Sequence, residues 1–380
     1  MSDRAPTPGL AARYRTPLAE DLPEELRVIF GDRETVYRKV RWPVAGTGLD
    51  ARGAAAVGLR YGENPHQSAA FYTADGGAGL GALSWLKLGK GGPSWINLAD
   101  IEHALRSLRY FERPAVAVMK HLNPAGLAVQ TGASSLAQLY EAARDCDARA
   151  AFGGVVVCNV AIDEATAEAI ARTYIEVVAA PGFAPGALAI LGRKKDLRVA
   201  RIGAPGSLPR FVGDPAPLDL KVSSDGSLLV QQPCLTRIRS SLDLVAHPRA
   251  GDVVAEHAAS PAELEDLLFA WYVSLGVRSN AVVIARDGRT LAVGTGEQER
   301  IGAIEQAIAK ARQKGHSLAG AVMSSDAFFP FRDAIDAAAD AGIRAIVQPG
   351  GSLRDAEVLA ACNERGVAIL FTQERCFAHF

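Results

Sequence analysis

Apolar residues in this chain occur in two patterns. Some form short continuous runs, which read as buried strands; others recur every three or four positions, which reads as amphipathic helix. Ala115-Val116-Ala117-Val118-Met119, Val155-Val156-Val157-Cys158 and Ile175 to Ala180 are runs of the first kind. Ile101, Ala104, Leu105 and Leu108 show the second, on a helix for which Asp100 is the expected cap. Helices are expected over 134–146 and from Asp163 to about Tyr174. Strand and helix alternate, so this stretch predicts an α/β lobe.

The alternation resumes near the C-terminus. Ser260-Pro261-Ala262-Glu263 is a capping box with Pro at the first helical position, opening a helix to about Leu275. Short strands at 281–285 and 290–293 are joined by Asp287-Gly288, a hairpin signal. Helices at 301–313, 332–341 and 354–365 then alternate with strands at 319–323, 343–347 and 367–371. A duplicated architecture is expected, without a strong sequence repeat. The boundaries read as an N-terminal arm over 1–58, a first lobe over 59–200, a connecting segment over 201–259 and a second lobe over 260–380. Within the arm the first twenty residues read as loose and 35–43 as a strand; 76–92 reads as a Gly-rich loop, and the Pro-rich connection contains a strand near 227–231.

Composition narrows the class. Of 380 residues 49% are hydrophobic and 22% charged, enough to bury a sizeable core and to exclude disorder. A formal net charge of −1 argues against a nucleic acid or a membrane surface as principal partner. The five cysteines are odd in number and form no CxxC pair, which fits reduced thiols and a cytoplasmic location. The N-terminus has no apolar signal-like core, and no run of about 18 apolar residues occurs to span a membrane.

The candidate chemistry centres on Lys120-His121-Leu122-Asn123-Pro124-Ala125-Gly126. A buried strand delivers a cation and an imidazole side by side, and Asn-Pro-Ala-Gly reads as the sharp turn that follows. Ligands in α/β proteins bind where strands end, which places the pair where a site is expected. A histidine can take a proton near neutral pH and a lysine can stabilise developing negative charge. An ordinary strand exit explains this stretch alone slightly better. The Arg60-Tyr61 to Gln67 loop gathers a cation, a carboxylate, an imidazole and two amides, though a solvated turn is its commoner origin. Gly294 to Arg300 follows a strand and precedes a helix, an arrangement that suits an anion but lacks the fingerprints of a dinucleotide fold or a P-loop. Phe328-Phe329-Pro330-Phe331 suits the wall of a pocket for a planar ring as well as it suits core. The seven histidines form no zinc-binding spacing, so no metal is expected.

Taken together, these stretches resemble the AICAR transformylase domain of the bifunctional purine-biosynthesis family. The matching segments are LRYGENPHQ (59–67), KHLNPAG (120–126), AFGG (151–154), EVVAAPGF (176–183), RSNAVV (278–283), GTGEQERI (294–301), SSDAFFPFRD (324–333), IVQPGGS (346–352) and RCFAHF (375–380). The resemblance implies two tandem cytidine-deaminase-like α/β lobes without zinc, and a homodimer with active sites at the interface. It implies transfer of a formyl group from 10-formyltetrahydrofolate to the 5-amino group of AICAR, with His121 as general base and Lys120 as oxyanion stabiliser. Arg60, Tyr61, Gly153, Glu176, Asn280 and Arg300 would join that pair around the nucleotide, with His66, Asn97 and His379 in support. Ile301, Phe328, Asp333, Ser352 and Leu353 would line the folate site.

The chain departs from the family at three places. Where the family carries an IMP cyclohydrolase domain, a 58-residue arm precedes the matching segments, so the chain is expected not to close the inosine ring and a separate cyclohydrolase is expected to do so. Glu297 and Glu299 put negative charge beside the anion contact expected of Arg300. Phe380 extends past the usual terminal histidine. Some family members hold a potassium ion beside the segments matching Asn280 and Asp326; Val277 and Ala281 offer no hydroxyl there, so none is expected. The alternatives are a formyltransferase paralogue acting on a different aminoimidazole, and a catalytically silent nucleotide-binding subunit.

Overall fold

The structure is a computed structural model and describes residues 17–44, 56–89 and 91–379. Most of the expected loose arm and the terminal Phe380 lie outside the described residues. The core is a mixed sheet of eleven strands. In chain order these are β1 (Ser84–Lys87), β2 (Ala115–Lys120), β3 (Asn123–Val129), β4 (Gly154–Cys158), β5 (Ile175–Ala180) and β6 (Arg198–Arg201). They continue as β7 (Val282–Arg286), β8 (Arg289–Gly294), β9 (Val322–Ser325), β10 (Ala345–Gln348) and β11 (Ala368–Phe371). Across the sheet they run β11-β10-β9-β7-β8-β3-β2-β4-β5-β6-β1.

That order contains a repeat. Each half is an antiparallel hairpin, β2-β3 or β7-β8, whose first strand pairs antiparallel with the first of three parallel strands. The halves join where β8 meets β3. A helix of fourteen residues precedes each hairpin: α1 (Trp95–Leu108) and, later in the chain, Pro261–Ser274. Both are opened by a serine capping box, Ser94 with Asn97 and Ser260 with Glu263. The spacing from helix cap to hairpin turn is identical in the two halves. Ser94, Asp100, His121 and Leu122 correspond in number, without insertion, to Ser260, Asp266, Asp287 and Gly288. Even the hairpin bulge repeats, between Val118 and Met119 and between Ile284 and Ala285. The expected duplication is therefore present, carried by spacing more than by residue identity.

Helices α2 (Leu136–Cys146), α3 (Ala148–Ala151), α4 (Glu164–Ala171) and α5 (Pro185–Gly192) serve the first half. The second has α6 (Pro261–Ser274), α7 (Arg300–Gln313), α8 (Asp333–Asp340) and α9 (Asp355–Arg365). Two glycines fix how closely helix and hairpin approach. A Cβ on Gly126 would stand 2.1 Å from the Ala143 carbonyl of α2, and one on Gly294 2.1 Å from the Ala303 carbonyl of α7. Apolar packing on the two sheet faces follows the runs read from the sequence, with Val116, Val118, Val156 and Val178 facing α2 and α4 and Ala117, Val155, Val157 and Val177 facing α1 and α6.

Several local readings change. Asp100 is not a cap; Ser94 caps α1 and Asp100 sits buried within it. The hairpin turn is His121-Leu122, because Lys120 pairs with Asn123, and Asn123 to Gly126 already belong to β3. The 76–92 stretch holds a 3-10 turn at Gly79–Ala82 and the edge strand β1. Residues Glu25–Phe30 and Arg33–Val40 form a hairpin that pairs with Phe71–Ala74.

Candidate active site

The local conformation of His121 is unusual. A two-residue hairpin turn that matches strand twist needs positive φ at both central residues, which favours Asn, Asp or Gly. In the second half Asp287 and Gly288 meet that need with φ of 56° and 68°. In the first half His121 and Leu122 adopt φ of 52° and 67°. Each L residue held there costs about 1–2 kcal/mol. Cost of this kind collects at functional sites. One turn carries the residues the backbone prefers, and the other carries an imidazole.

Lys120, the last residue of β2, extends its ammonium to the Gly153 carbonyl at 2.8 Å. Gly153 has φ of 67°, and a Cβ on it would stand 3.3 Å from the lysine Nζ and 3.4 Å from the Tyr174 ring. The positive φ favours glycine, and an added methyl group would crowd the lysine tip. This end of the sheet holds the amino ends of β4 and β5, not their carboxyl ends as the strand-end rule led us to expect. It coincides instead with the carboxyl ends of β9 and β10 in the other half, where Thr295 Oγ1 donates to Asn123 Oδ1 at 2.8 Å.

Behind the turn, Asp100 Oδ1 accepts the Leu122 amide at 2.7 Å. Asp100 is 3% exposed. Burial pushes its carboxyl up to about 6, against the pull of the Leu122 amide and the charge of Lys120, while Glu176 adds to the rise. Glu176 and Lys120 thus both act on Asp100 through their charges. Arg60 is buried, donates to the Tyr61 hydroxyl at 3.0 Å and lies 4.6 Å over its ring. Arg198 of β6 is also buried; burial and the like charge of Arg60 bring its guanidinium down to about 10. Two crowded guanidiniums make a favourable place for an anion.

His121 faces a cleft of about 1300 Å³. Its walls include Trp95 and His103 of α1, Arg278, Phe377 and His379. His121 and His379 are therefore brought to one cavity. His103 is buried, and desolvation, with help from Arg106, drives its imidazole down to about 3. The ribbon Asp219–Val222 with Leu228–Gln231 leans over the cleft, with Leu220, Leu229 and Val230 exposed. A smaller cavity of about 230 Å³ opens on the other side of the pair, toward Asp147, Thr295 and Lys310.

Other expected site residues have structural partners. Asn97 Oδ1 accepts the Ser94 amide at 3.1 Å in the α1 cap. His66 is exposed on its turn and does not line the cleft. Arg300 is 9% exposed; its Nη1 binds Asp326, Ser325 and the Ala281 carbonyl, and its Nη2 binds Asn280 Oδ1 at 2.7 Å. Asp326 also accepts from the Ser279 hydroxyl, which in turn accepts the Ala378 amide at 3.0 Å, tying the C-terminal segment to this corner. Glu297 turns to Gln306 and Glu299 is exposed at the start of α7. Ile301 lies in the first turn of α7, Phe328 and Asp333 follow β9, and Ser352 and Leu353 follow β10; none of them lines the cleft that holds His121. Leu353 is fully exposed and Phe328 is 41% exposed.

Three site residues were missed in the sequence. Asp100 passed as a helix cap, Asp326 as one carboxylate beside a Phe-rich run, and Arg198 went unremarked. Arg198 opens the short strand Arg-Val-Ala-Arg just after Lys194-Lys195-Asp196, so no pattern in the sequence set it apart. Among the described residues no group of three or more His, Cys, Asp or Glu is placed to hold a metal ion. Also among them, no helix is long and apolar enough to cross a membrane.

Fold and site define an internally duplicated α/β protein with a lysine–histidine pair at one hairpin tip, over a cleft with buried cations nearby. The profile of the AICARFT/IMPCHase bienzyme matches residues 35–310. Bifunctional purine biosynthesis protein PurH of Magnetococcus marinus is 43% identical over 330 residues, 85% of this chain and 59% of that protein. PurH of Sorangium cellulosum is 44% identical over 327 residues, 85% of this chain and 59% of that protein. PurH of Xanthomonas oryzae pv. oryzae is 42% identical over 356 residues, 93% and 63%. The chain belongs to the AICARFT/IMPCHase family and spans about three-fifths of the length of these relatives. A solved deaminase/reductase of Thermotoga maritima aligns with 28% of this chain at 21% identity and a TM-score of 0.21, too loose to bear on the fold.

Proposed function

We propose that this chain acts in purine biosynthesis, transferring a formyl group from 10-formyltetrahydrofolate to the 5-amino group of AICAR. The observation that carries the reading is the His121-Leu122 turn. It holds an imidazole in a backbone region that the matching turn fills with Asp287-Gly288, and does so beside Lys120 at the edge of a cleft.

The amine of AICAR is conjugated with the ring and the neighbouring carboxamide, so it is a weak nucleophile. As its nitrogen bonds to the formyl carbon, it must lose a proton, which His121 takes as general base. The formyl oxygen gains negative charge, which the Lys120 ammonium stabilises. Collapse breaks the carbon bond to N10 of the folate, which leaves with a proton as tetrahydrofolate. Arg60 and Tyr61, with Gly153 and Glu176, form the nucleotide side, to which Asn280 and Arg300 contribute from the other half. Arg198 adds a second cation there.

Each half is read as a cytidine-deaminase-like lobe used without zinc. The folate residues stand apart from His121 within one chain, and exposed Phe328, Phe331 and Leu353 support a homodimer whose second copy completes the site. Turnover of AICAR with 10-formyltetrahydrofolate tests the reading. Activity in the wild type that is nearly abolished in His121→Ala supports it; equal activity in both rejects His121 as base. The pairing of Arg300 with Asp326 favours a second reading, a paralogue acting on a different aminoimidazole. Equal turnover of AICAR and its unphosphorylated nucleoside would select that one.

A further inference from the structure

We infer that Asp100 is a positioning residue, whose carboxylate oxygen holds the His121-Leu122 turn in the backbone conformation that presents His121 to substrate. The consequence for catalysis rests on the function proposed above; the holding of the turn does not. Asp100 is the sixth residue of α1, and its Oδ1 accepts the Leu122 amide at 2.7 Å. In the other half Asp266 is the sixth residue of α6, and its two oxygens accept the amides of Asp287 and Gly288, both at 2.8 Å. Position in the helix, partner turn and bonded amide all repeat. The second turn carries no imidazole or ammonium, so its aspartate has only a scaffold task. The same task is assigned to Asp100, whose turn, unlike that of Asp266, has a left-handed backbone not favoured by its own residues.

Asp100 is also buried beside the charges of Lys120 and Glu176, with Glu102, His103 and Arg106 on its own helix. A direct proton-transfer role would depend on its charge. A holding role depends on an oxygen acceptor at the end of a short side chain, which Asn also supplies.

The test compares Asp100→Ala and Asp100→Asn with the wild type in the full chain. Asp266→Ala serves as control. Hydrogen exchange of the Leu122 amide, read by NMR on 15N-leucine protein, should quicken about tenfold or more in Asp100→Ala and stay within about threefold in Asp100→Asn. In the formyl-transfer assay, kcat should fall about a hundredfold in Asp100→Ala, with the KM for AICAR moved less than about threefold, the scale expected of a misplaced catalytic group. Asp100→Asn should keep kcat within about tenfold of wild type, and Asp266→Ala should loosen its own turn and leave kcat within about threefold. A kcat loss in Asp100→Asn as deep as in Asp100→Ala overturns the proposal, as does unchanged Leu122 exchange in Asp100→Ala. If Asp100→Ala does not fold, Asp100→Asn alone still decides, since a hundredfold loss in it is incompatible with a holding role. A wild-type chain without formyl transfer would end the functional reading, and amide exchange would still decide the role of Asp100.

Discussion

The Lys120 ammonium lies 2.8 Å from the carbonyl oxygen of Gly153, a residue that cannot gain a side chain without meeting that same ammonium. The lysine is aimed by backbone, and the backbone is free to aim it because Gly153 takes positive φ at little cost. Gly153→Ala should cost about 1–2 kcal/mol from the left-handed backbone, plus displacement of Nζ. Formyl transfer should fall more than stability does, so kcat measured beside a urea midpoint checks the claim. A variant with wild-type kcat would show that the Gly153 carbonyl does not set the lysine.

Gly126 and Gly294 make a parallel claim about the fold. Each lies where a methyl group would meet a helix carbonyl at 2.1 Å, and backbone cannot yield as a flexible side chain can. Gly126→Ala and Gly294→Ala should each destabilise by on the order of 3 kcal/mol, the upper range for overpacking. Equilibrium urea denaturation reads this directly. A loss below about 0.5 kcal/mol in either would mean that α2 or α7 shifts freely on its hairpin.

Arg300 and Asp326 form a pair whose side chains are 7% and 0% exposed. Removing one partner from a buried ion pair strands the other, at about 3–5 kcal/mol. Asp326→Ala should therefore destabilise on that scale, while Arg300→Met with Asp326→Leu should recover much of the loss. Recovery is measurable as a double-mutant cycle in urea. If Asp326→Ala instead left stability intact while raising the KM for AICAR, the arginine would be a ligand contact more than a structural one.

How far the sequence could be read depends on where the signals lie. The continuous apolar runs at 115–119 and 155–158 gave β2 and β4 because both faces of the central strands are buried. Asp287-Gly288 announced the second hairpin in the residues that its backbone prefers. The first turn hid because Pro124 and Gly126 look like turn chemistry, whereas Pro124 sits opposite Met119 beside the bulge, where a strand tolerates its missing N–H. Asp100 was misread for a related reason: Ser94 and Asn97 cap the helix out of a Gly-rich stretch, leaving the apolar stripe to begin near Asp100. The pair Lys120 and His121 was legible by adjacency. Gly153 was named through the AFGG resemblance, but that its carbonyl meets the lysine, and that Asp100 holds the turn, became legible only once the chain was folded, since these residues come from different elements.

Two buried groups on α1 give opposite pH slopes. Asp100 has its carboxyl raised to about 6, so its folded form holds a proton more tightly than its unfolded form. Its contribution to stability is full below pH ~4 and is lost as pH rises through 6. His103 has its imidazole lowered to about 3, so the folded form gives up its proton more readily. Its contribution is full above the unfolded imidazole value of about 6.5 and is lost as pH falls toward 3. Between pH ~4 and ~6 the slopes oppose, each bounded by about 1.4 kcal/mol per pH unit. Asp100→Asn removes the falling term, so its stability should rise more steeply with pH across that window than wild type. His103→Gln removes the rising term, so its stability should rise less, or fall. Urea midpoints at pH 4.5 and 6 in the three proteins test both signs. Parallel curves would mean that neither group is held in its buried state, and with Asp100 solvated the Leu122 amide would lose the acceptor that fixes the turn beneath His121.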